Sequence, residues 1–154
     1  MKARIAILSI TFLLFGAVAA FAKDPNIGTW KLNEAKSKMT AGMAKNTKVV
    51  YTAAGDSVKA VVEGVDAAGK ATHNEWTGKY DGKDYAVTGD ANTDMRSIMK
   101  VDDRHYNIAG KKGGKTVITG TIEFAADWKS RTLTIHSKDA KGKDVTSVTV
   151  YDKQ

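Results

Sequence analysis

Short segments in which apolar and polar side chains alternate run through most of this chain, and turns rich in glycine and aspartate separate them. Residues 47–52 alternate in this way, and residues 58–63, 72–79 and 116–124 repeat the pattern. A period of two puts successive side chains on opposite faces of a β-strand. No long stretch of helical periodicity lies between the segments, which excludes a parallel α/β sheet. The alternation therefore predicts an all-β fold.

The spacing of the segments predicts roughly nine or ten strands joined by hairpins. Consecutive hairpins favour an antiparallel up-and-down meander, and closing the meander removes exposed strand edges. We therefore expect residues 23–154 to form a single domain, a closed β-barrel of about 8–10 strands. Residues 34–45 are the least strand-like part and are expected to form a loop. Asp81-Gly82 predicts a two-residue hairpin turn.

The first 22 residues have the three parts of a secretory signal peptide. Lys2 and Arg4 precede an apolar core at residues 5–18, and residues 20–22 read Ala-Phe-Ala, a small-residue cleavage pattern. Cleavage after residue 22 would leave 132 of the 154 residues. We expect an exported protein, periplasmic or secreted. Because no second long apolar run follows, we expect no integral membrane segment after cleavage.

Charge and cysteine content limit the possible partners. The chain has no cysteine, so disulfides contribute nothing to stability even in an oxidising compartment. Removing Lys2 and Arg4 from the 24 basic residues leaves 22 against 17 acidic ones, a net charge of +5. The lysines are scattered, without a run of five or more like charges, which indicates a solvated surface. We expect a monomer with no nucleic-acid partner. The alternative is attraction to anionic lipid, cell wall or nucleic acid.

A Gly-x-Trp motif, Gly28-Thr29-Trp30, opens the first strand-like segment. Such a motif in a chain of repeated hairpins resembles the calycins, which comprise lipocalins and fatty-acid-binding proteins. More narrowly, the chain is similar to small exported bacterial lipocalin-like proteins, and the matching stretches are residues 26–33, 37–38, 80–85 and 150–154. The resemblance implies a lipocalin-like barrel in which Gly28 and Trp30 are structural and Trp30 closes one end. The alternative is a tryptophan packed at the bottom of any small β-domain.

The resemblance also concerns basic residues near the C-terminal end of the chain. Lipocalins often stack one over the tryptophan of this motif, and either Arg131 or Lys153 could take that place. Fatty-acid-binding proteins hold the ligand carboxylate with an arginine and a tyrosine on a late strand. Residues 145–151 contain Tyr151 but no arginine two residues before it. The chain therefore departs from that family's way of binding a carboxylate.

Patterns associated with cofactors, metals and catalysis are incomplete. Residues 110–116 lack the glycine spacing of a phosphate-binding loop, and strand-forming residues follow, so we interpret them as a hairpin. Residues 90–94 match only the first half of a calcium loop and predict a polar loop at the barrel mouth. His73, His105 and His136 fall on separate strands and are expected to be exposed. We expect no metal site, no cofactor and no catalytic residue, and a protein that is not an enzyme.

Side chains that face into a small barrel either fill its core or line a pocket. A set of aromatic and methionine side chains that share faces with apolar neighbours forms the candidate pocket: Tyr51, Trp76, Tyr85, Met95, Met99, Tyr106 and Phe124. An apolar pocket with a few hydroxyl groups is typical of a small-molecule site. We therefore predict that the protein binds a small apolar molecule. The alternative is a filled barrel without a cavity that acts through its surface, as an inhibitor or a cell-envelope interaction module.

Overall fold

Ten β-strands make up most of the chain in the computed structural model, which describes residues 24–40 and 43–154. The strands are β1 (Gly28–Lys38), β2 (Lys45–Ala54), β3 (Ser57–Val65), β4 (Ala71–Gly78), β5 (Tyr85–Thr88), β6 (Met95–Lys100), β7 (His105–Lys112), β8 (Lys115–Phe124), β9 (Ser130–Lys138) and β10 (Asp144–Lys153). The predicted signal peptide, residues 1–22, lies outside the described residues.

The strands form one closed barrel in the order β1-β10-β9-β8-β7-β6-β5-β4-β3-β2. Every neighbouring pair is antiparallel, and β10 pairs with β1 to complete the ring. The predicted all-β, up-and-down closed barrel is confirmed. Within the described residues, no helix has the length and apolar character needed to cross a bilayer.

The connections fall alternately at two ends of the barrel. At the floor end, where β1 begins, the connections are residues 55–56, 79–84, 101–104 and 125–129. The opposite end, the mouth end, has the connections at residues 39–44, 66–70, 89–94, 113–114 and 139–143. Residues 24–27 form a turn at the floor end, in which the Ile27 N–H donates to the Asp24 carbonyl at 2.9 Å.

Strand β3 shows how alternation becomes an inner and an outer face. Ala60 and Val62 are buried inside the barrel. Lys59 and Glu63, on the outer face, make ion pairs of 2.8 and 3.1 Å with side chains of the neighbouring strands β4 and β2. Opposite charges on adjacent strands are favourable cross-strand pairs. The same residue pattern thus supplies both the core and the register of the sheet.

The expected loop at residues 34–45 is largely wrong, because β1 continues to Lys38 and β2 begins at Lys45. The pairing of β1 with β10 shifts register between Asn33 and Lys38. Within this irregular stretch the Ser37 hydroxyl donates to the Asn33 carbonyl at 2.7 Å and accepts from the Val150 N–H at 2.9 Å. A side chain therefore replaces part of the regular ladder, which is why the sequence pattern looks unlike a strand.

The predicted two-residue hairpin at Asp81-Gly82 is also wrong. Residues 79–84 form a longer connection between β4 and β5. Asp81 makes an isolated antiparallel bridge to Met99, and the Gly82 N–H donates to the Ile98 carbonyl at 3.0 Å. Gly82 has a φ of 77°, as the turn signal required. The glycine was identified correctly, but its loop pairs with β6 instead of joining two adjacent strands tightly.

Candidate ligand-binding lumen

Trp30 lies at the floor end with a fully buried side chain. Its indole N–H donates to the Asn26 carbonyl at 2.8 Å, and its ring meets Phe124 edge-on with 5.5 Å between centroids. Gly28 has a φ of 130°, and a Cβ there would lie 3.1 Å from the Lys153 side chain. The Gly-x-Trp motif thus gives the chain both the backbone conformation and the aromatic ring that close this end.

Two basic residues contact Trp30, although the sequence left the choice between them open. The Arg131 guanidinium carbon lies 4.7 Å from the centre of the Trp30 ring, and the Lys153 ammonium lies 5.1 Å from it. Arg131 donates to the Asn26 side-chain oxygen at 2.8 Å, and Lys153 donates to the Pro25 carbonyl at 2.6 Å. Cation–π contact and these hydrogen bonds hold both cations in place.

Aromatic side chains fill the floor half of the barrel around Arg131. Its guanidinium carbon lies 4.9 Å from the Tyr51 ring centre and 5.3 Å from that of Tyr151. The Tyr151 hydroxyl donates to the Asn46 carbonyl at 3.0 Å, and burial raises the pKa of Tyr151. Among the described residues, no carboxylate lies within ion-pair distance of Arg131. This half is a packed structural layer.

Toward the mouth end, several inward side chains are partly accessible to solvent. Three inward-facing side chains pack on the core but remain partly exposed: Leu32, Ile108 and Leu133. Each lies opposite a buried inner-face residue on a neighbouring strand. Gly120 is another inner-face position toward this end. A side chain that faces into a closed barrel reaches solvent only through the interior. Solvent therefore reaches these inward positions from the mouth end, and whether they enclose a ligand cavity stays a prediction.

Arg96 is the charged residue of this inner face. It pairs in register with Tyr85 on β5 and Gly110 on β7, and its side chain is only 11% exposed. One terminal nitrogen lies 3.3 Å from the Asn74 side-chain oxygen and 3.6 Å from a carboxylate oxygen of Asp90. The Arg96 Nε is buried without a hydrogen-bond partner. Burial lowers the pKa of Arg96, and its charge interactions with Tyr51 and Asp90 oppose that change.

The loop at residues 89–94 folds inward beside Arg96. Thr93 is almost completely buried, and its hydroxyl donates to Asp90 at 2.7 Å, while the Asn92 N–H donates to the other Asp90 oxygen at 2.8 Å. A Cβ at Gly110 would lie 2.8 Å from the Thr93 methyl group, so glycine makes room for this inward turn. Asp90 therefore accepts hydrogen bonds from its own loop in addition to its ionic contact with Arg96.

The arrangement can bind an oxyanion. A guanidinium offers several N–H donors in a planar fork that matches carboxylate, phosphate or sulfonate oxygens. Arg96 already uses part of this capacity on Asn74 at 3.3 Å, and its Nε, like that of Arg131, is buried without a partner. Trp76 and Tyr85 supply aromatic surface beside these polar groups.

Four of the seven predicted pocket residues are buried in the barrel interior: Tyr51, Trp76, Tyr106 and Phe124. Trp76 lies beside the candidate site, since its indole N–H donates to the Arg96 carbonyl at 3.1 Å. Tyr85 packs edge-on against Trp76 with 6.1 Å between ring centres, and its hydroxyl donates to Asp81 in the floor-end connection at 3.0 Å. Whether any of these residues contacts a ligand stays a prediction.

Met95 and Met99 do not belong to the interior. Both alternate with Ile98 and Arg96 along β6, and the Met99 side chain is 44% exposed. The expectation that they face inward is wrong. Alternate residues of β6 point to opposite faces, and both sets of alternate residues include apolar side chains. The buried Ile98 identifies the inner phase, which brings Arg96 into the barrel. In the sequence, the available signal was Arg96 two residues before Ile98, in the phase opposite to the two methionines.

The three histidines are exposed or half-exposed on the outer surface, as expected. His73 lies 3.5 Å from Glu75, His105 lies 2.8 Å from Asp102, and His136 lies 2.9 Å from the Thr146 hydroxyl. Among residues 24–40 and 43–154, no three His, Cys, Asp or Glu side chains are grouped as metal ligands would be.

Comparison with known proteins leaves the family open. No protein-family model matches the sequence. No curated protein matches it either. Among solved structures, a similar chain is described as "Structure of EF1p2_mFAP2b bound to DFHBI", with a TM-score of 0.47, 10% identity, and coverage of 84% of this chain and 94% of that chain. Similarity at this level assigns neither a family nor a ligand.

Proposed function

We propose that this protein is an exported, calycin-like binding protein that holds a small, largely apolar molecule with an oxyanion in the mouth half of its barrel. The observation that carries the proposal is Arg96, an inward-facing guanidinium that the Asp90 carboxylate, 3.6 Å away, compensates only in part. Support for the export step is the signal-like composition of residues 1–22.

The electrostatics of Arg96 favour an anionic ligand over a purely apolar one. Removing a guanidinium from water is unfavourable unless hydrogen bonds and an opposite charge replace the water. Asp90 lies 3.6 Å away and also accepts two hydrogen bonds from its own loop, so it compensates Arg96 only in part. A ligand oxyanion at the accessible part of the guanidinium would supply the missing charge compensation.

The second candidate is a filled barrel that acts through its surface. The observation that favours it is the aromatic packing of the floor half, where Trp30, Phe124 and Tyr151 are almost fully buried. The two candidates differ in the mouth half. A filled barrel excludes small molecules from the interior, whereas the proposed lumen admits them and holds their charged end at Arg96.

Two related dyes distinguish these candidates. Anilinonaphthalene sulfonate carries a sulfonate, and phenylnaphthylamine has the same ring system without it. We expect the sulfonate dye to bind the wild-type protein more tightly. Arg96→Met should weaken its binding about tenfold or more, since a hydrogen bond to a charged group contributes roughly 1.5–3 kcal/mol. Fluorescence titration measures both affinities.

The matched control is Arg104→Met, which removes the same charge from an exposed floor-end connection. This variant should bind both dyes as the wild-type protein does, and Arg96→Met should still bind the uncharged dye. Equal loss in both arginine variants would indicate a general charge effect and contradict the proposal. Failure of both dyes to bind the wild-type protein would favour the filled barrel.

A further inference from the structure

A cavity lies at the floor end of the barrel. Its volume is about 380 Å³, and its lining residues are Asp24, Pro25, Tyr80, Lys100, Asp103, Tyr106 and Trp128. We call it the floor cleft. The lining does not include Arg96 or its neighbours Asn74 and Asp90, so the floor cleft is distinct from the Arg96 site.

Trp128 reaches this cleft from an unusual backbone position. Its φ is 58°, and it is the non-glycine residue with positive φ among the described residues. Bulky side chains rarely adopt this left-handed conformation, which is unfavourable for any residue with a Cβ. A well-packed structure retains such a conformation where the side chain that it displays is useful.

Two other turns of the same barrel show what the position ordinarily holds. In the connections at residues 66–70 and 139–143, Gly69 and Gly142 each donate an N–H to the carbonyl three residues earlier, at 3.0 and 2.9 Å. Trp128 makes the same bond at 3.0 Å. The φ values of Gly69 and Gly142 are 82° and 79°. The chain therefore uses glycine twice for this turn position, and at the floor cleft it uses tryptophan.

The displayed ring completes an aromatic wall. Trp128 packs against Phe124 at 5.4 Å, Phe124 meets Tyr106 at 5.5 Å, and Tyr106 meets Tyr80 at 5.1 Å between ring centres. Trp128 and Tyr80 are partly exposed at the two ends of this series. The Tyr80 hydroxyl accepts a hydrogen bond from the Asn26 amide at 2.7 Å, which fixes that ring. The wall is therefore rigid and continuous with the core.

Charged groups of both signs surround the aromatic wall. Lys100 donates to Asp103 at 2.8 Å, and Asp24 accepts from the Asn26 N–H at 2.9 Å. Burial and the nearby carboxylates of Asp24 and Asp103 raise the pKa of Tyr106 to about 12, so its hydroxyl stays protonated near neutral pH. Lys100 compensates Asp103, so the margin carries little net charge and offers both hydrogen-bond donors and acceptors. A neutral ligand that both donates and accepts hydrogen bonds suits all of them.

We propose that the floor cleft binds a neutral carbohydrate, with the apolar face of one sugar ring stacked on Trp128. Sugar hydroxyls can donate to Asp24 and Asp103 and accept from Lys100, while the C–H face of the ring covers the indole. An amphipathic aromatic ring with polar groups at its margin is suited to such a ligand. The proposal is independent of the lumen and of Arg96.

The indole N–H groups of the three tryptophans separate the two sites in an NMR spectrum of ¹⁵N-labelled protein. Trp128 reports on the floor cleft and Trp76 on the lumen. The probes are maltotriose, cellotriose and chitotriose, with choline as a cationic comparison. We expect at least one of the three sugars to shift the Trp128 signal and leave Trp76 unchanged. Trp128→Gly should weaken that binding at least about tenfold, as expected for loss of an aromatic anchor.

Trp128→Gly is also expected to fold, because glycine takes this turn position at residues 69 and 142. Its melting temperature shows whether loss of binding reflects loss of structure, and Trp128→Tyr, which keeps a stacking ring, should retain part of the affinity. Lys141→Met, in the exposed mouth-end connection at residues 139–143, should bind the sugar unchanged. The proposal is overturned if none of the three sugars shifts Trp128 at millimolar concentration, if Trp128→Gly binds the sugar normally, or if choline alone shifts Trp128.

Discussion

Trp30 joins more kinds of interaction than any other residue at the floor end. It is fully buried, donates a hydrogen bond to Asn26, meets Phe124 edge-on and lies under both Arg131 and Lys153. The sequence motif predicted the residue and its structural role. It could not predict that two cations share the ring, because their approach depends on the register between β1, β9 and β10.

Replacing Trp30 should therefore be costly. Trp30→Ala removes a buried aromatic side chain and is expected to lower the free energy of unfolding by about 3–5 kcal/mol, out of a total of about 5–15 kcal/mol for a domain of this kind. Thermal melting followed by circular dichroism measures the loss. Trp128→Ala is the control, since its ring is partly exposed, and it should melt closer to the wild-type protein. Equal melting of Trp30→Ala and the wild-type protein would contradict the closing role.

Arg96 shows the limit of prediction at this scale. Its neighbours on β6 read Met-Arg-Ser-Ile-Met-Lys, and either phase of this segment contains apolar residues. Methionine is compatible with both a buried and an exposed position. Only the pairing of Ile98 with Ile108 decides which phase faces inward. The candidate site was missed for that reason, and the exposed Met99 was mistaken for part of it.

At the scale of elements, strand β6 offers a direct test of this phase. Ile98 is 1% exposed and Met99 is 44% exposed, although the two are adjacent. Ile98→Lys would bury an unpaired ammonium and should destabilise the barrel by on the order of 3 kcal/mol or more. Met99→Lys should change stability by less than about 0.5 kcal/mol. Urea denaturation of both variants gives the comparison, and the reverse order would contradict the assigned faces.

Most strands could be predicted from the alternation of apolar and polar residues and from the turn residues. The two connections that were predicted wrongly depend on pairing between residues far apart in the sequence. The strand boundary at Lys38 depends on the hydrogen bond that the Val150 N–H on β10 donates to the Ser37 hydroxyl, and the connection at residues 79–84 depends on the bridge between Asp81 and Met99. Neither partner is near in sequence. The hairpin turn at Gly113-Gly114 was predicted correctly because two adjacent glycines with positive φ are enough to specify it, although the Gly113 N–H also donates to Asp94 at 2.8 Å.

At the scale of the whole molecule, buried tyrosines link stability to alkaline pH. Burial raises the pKa of Tyr106 to about 12, and burial also raises the pKa of Tyr80 and of Tyr151. An unfolded tyrosine ionises near pH 10. The folded state keeps its protons where the unfolded state loses them, so this contribution to stability is complete below about pH 10 and is lost as pH rises toward 12.

We therefore expect the free energy of unfolding to fall between about pH 10 and pH 12. Tyr106→Phe cannot ionise at this position and should show a shallower fall than the wild-type protein. Chemical denaturation at a series of pH values gives both slopes, and tyrosinate absorbance follows the ionisation directly. If the two proteins lose stability in parallel over this range, Tyr106 does not titrate as its burial implies.

The central claim is that the mouth half of the barrel holds a small ligand through Arg96. Native mass spectrometry of the protein purified from its own host tests it most directly. We predict that the wild-type protein carries a small molecule that is released on denaturation, that Arg104→Met carries it equally, and that Arg96→Met carries much less. A wild-type protein that shows only the mass of its own chain, or an Arg96→Met variant with undiminished occupancy, would contradict the account.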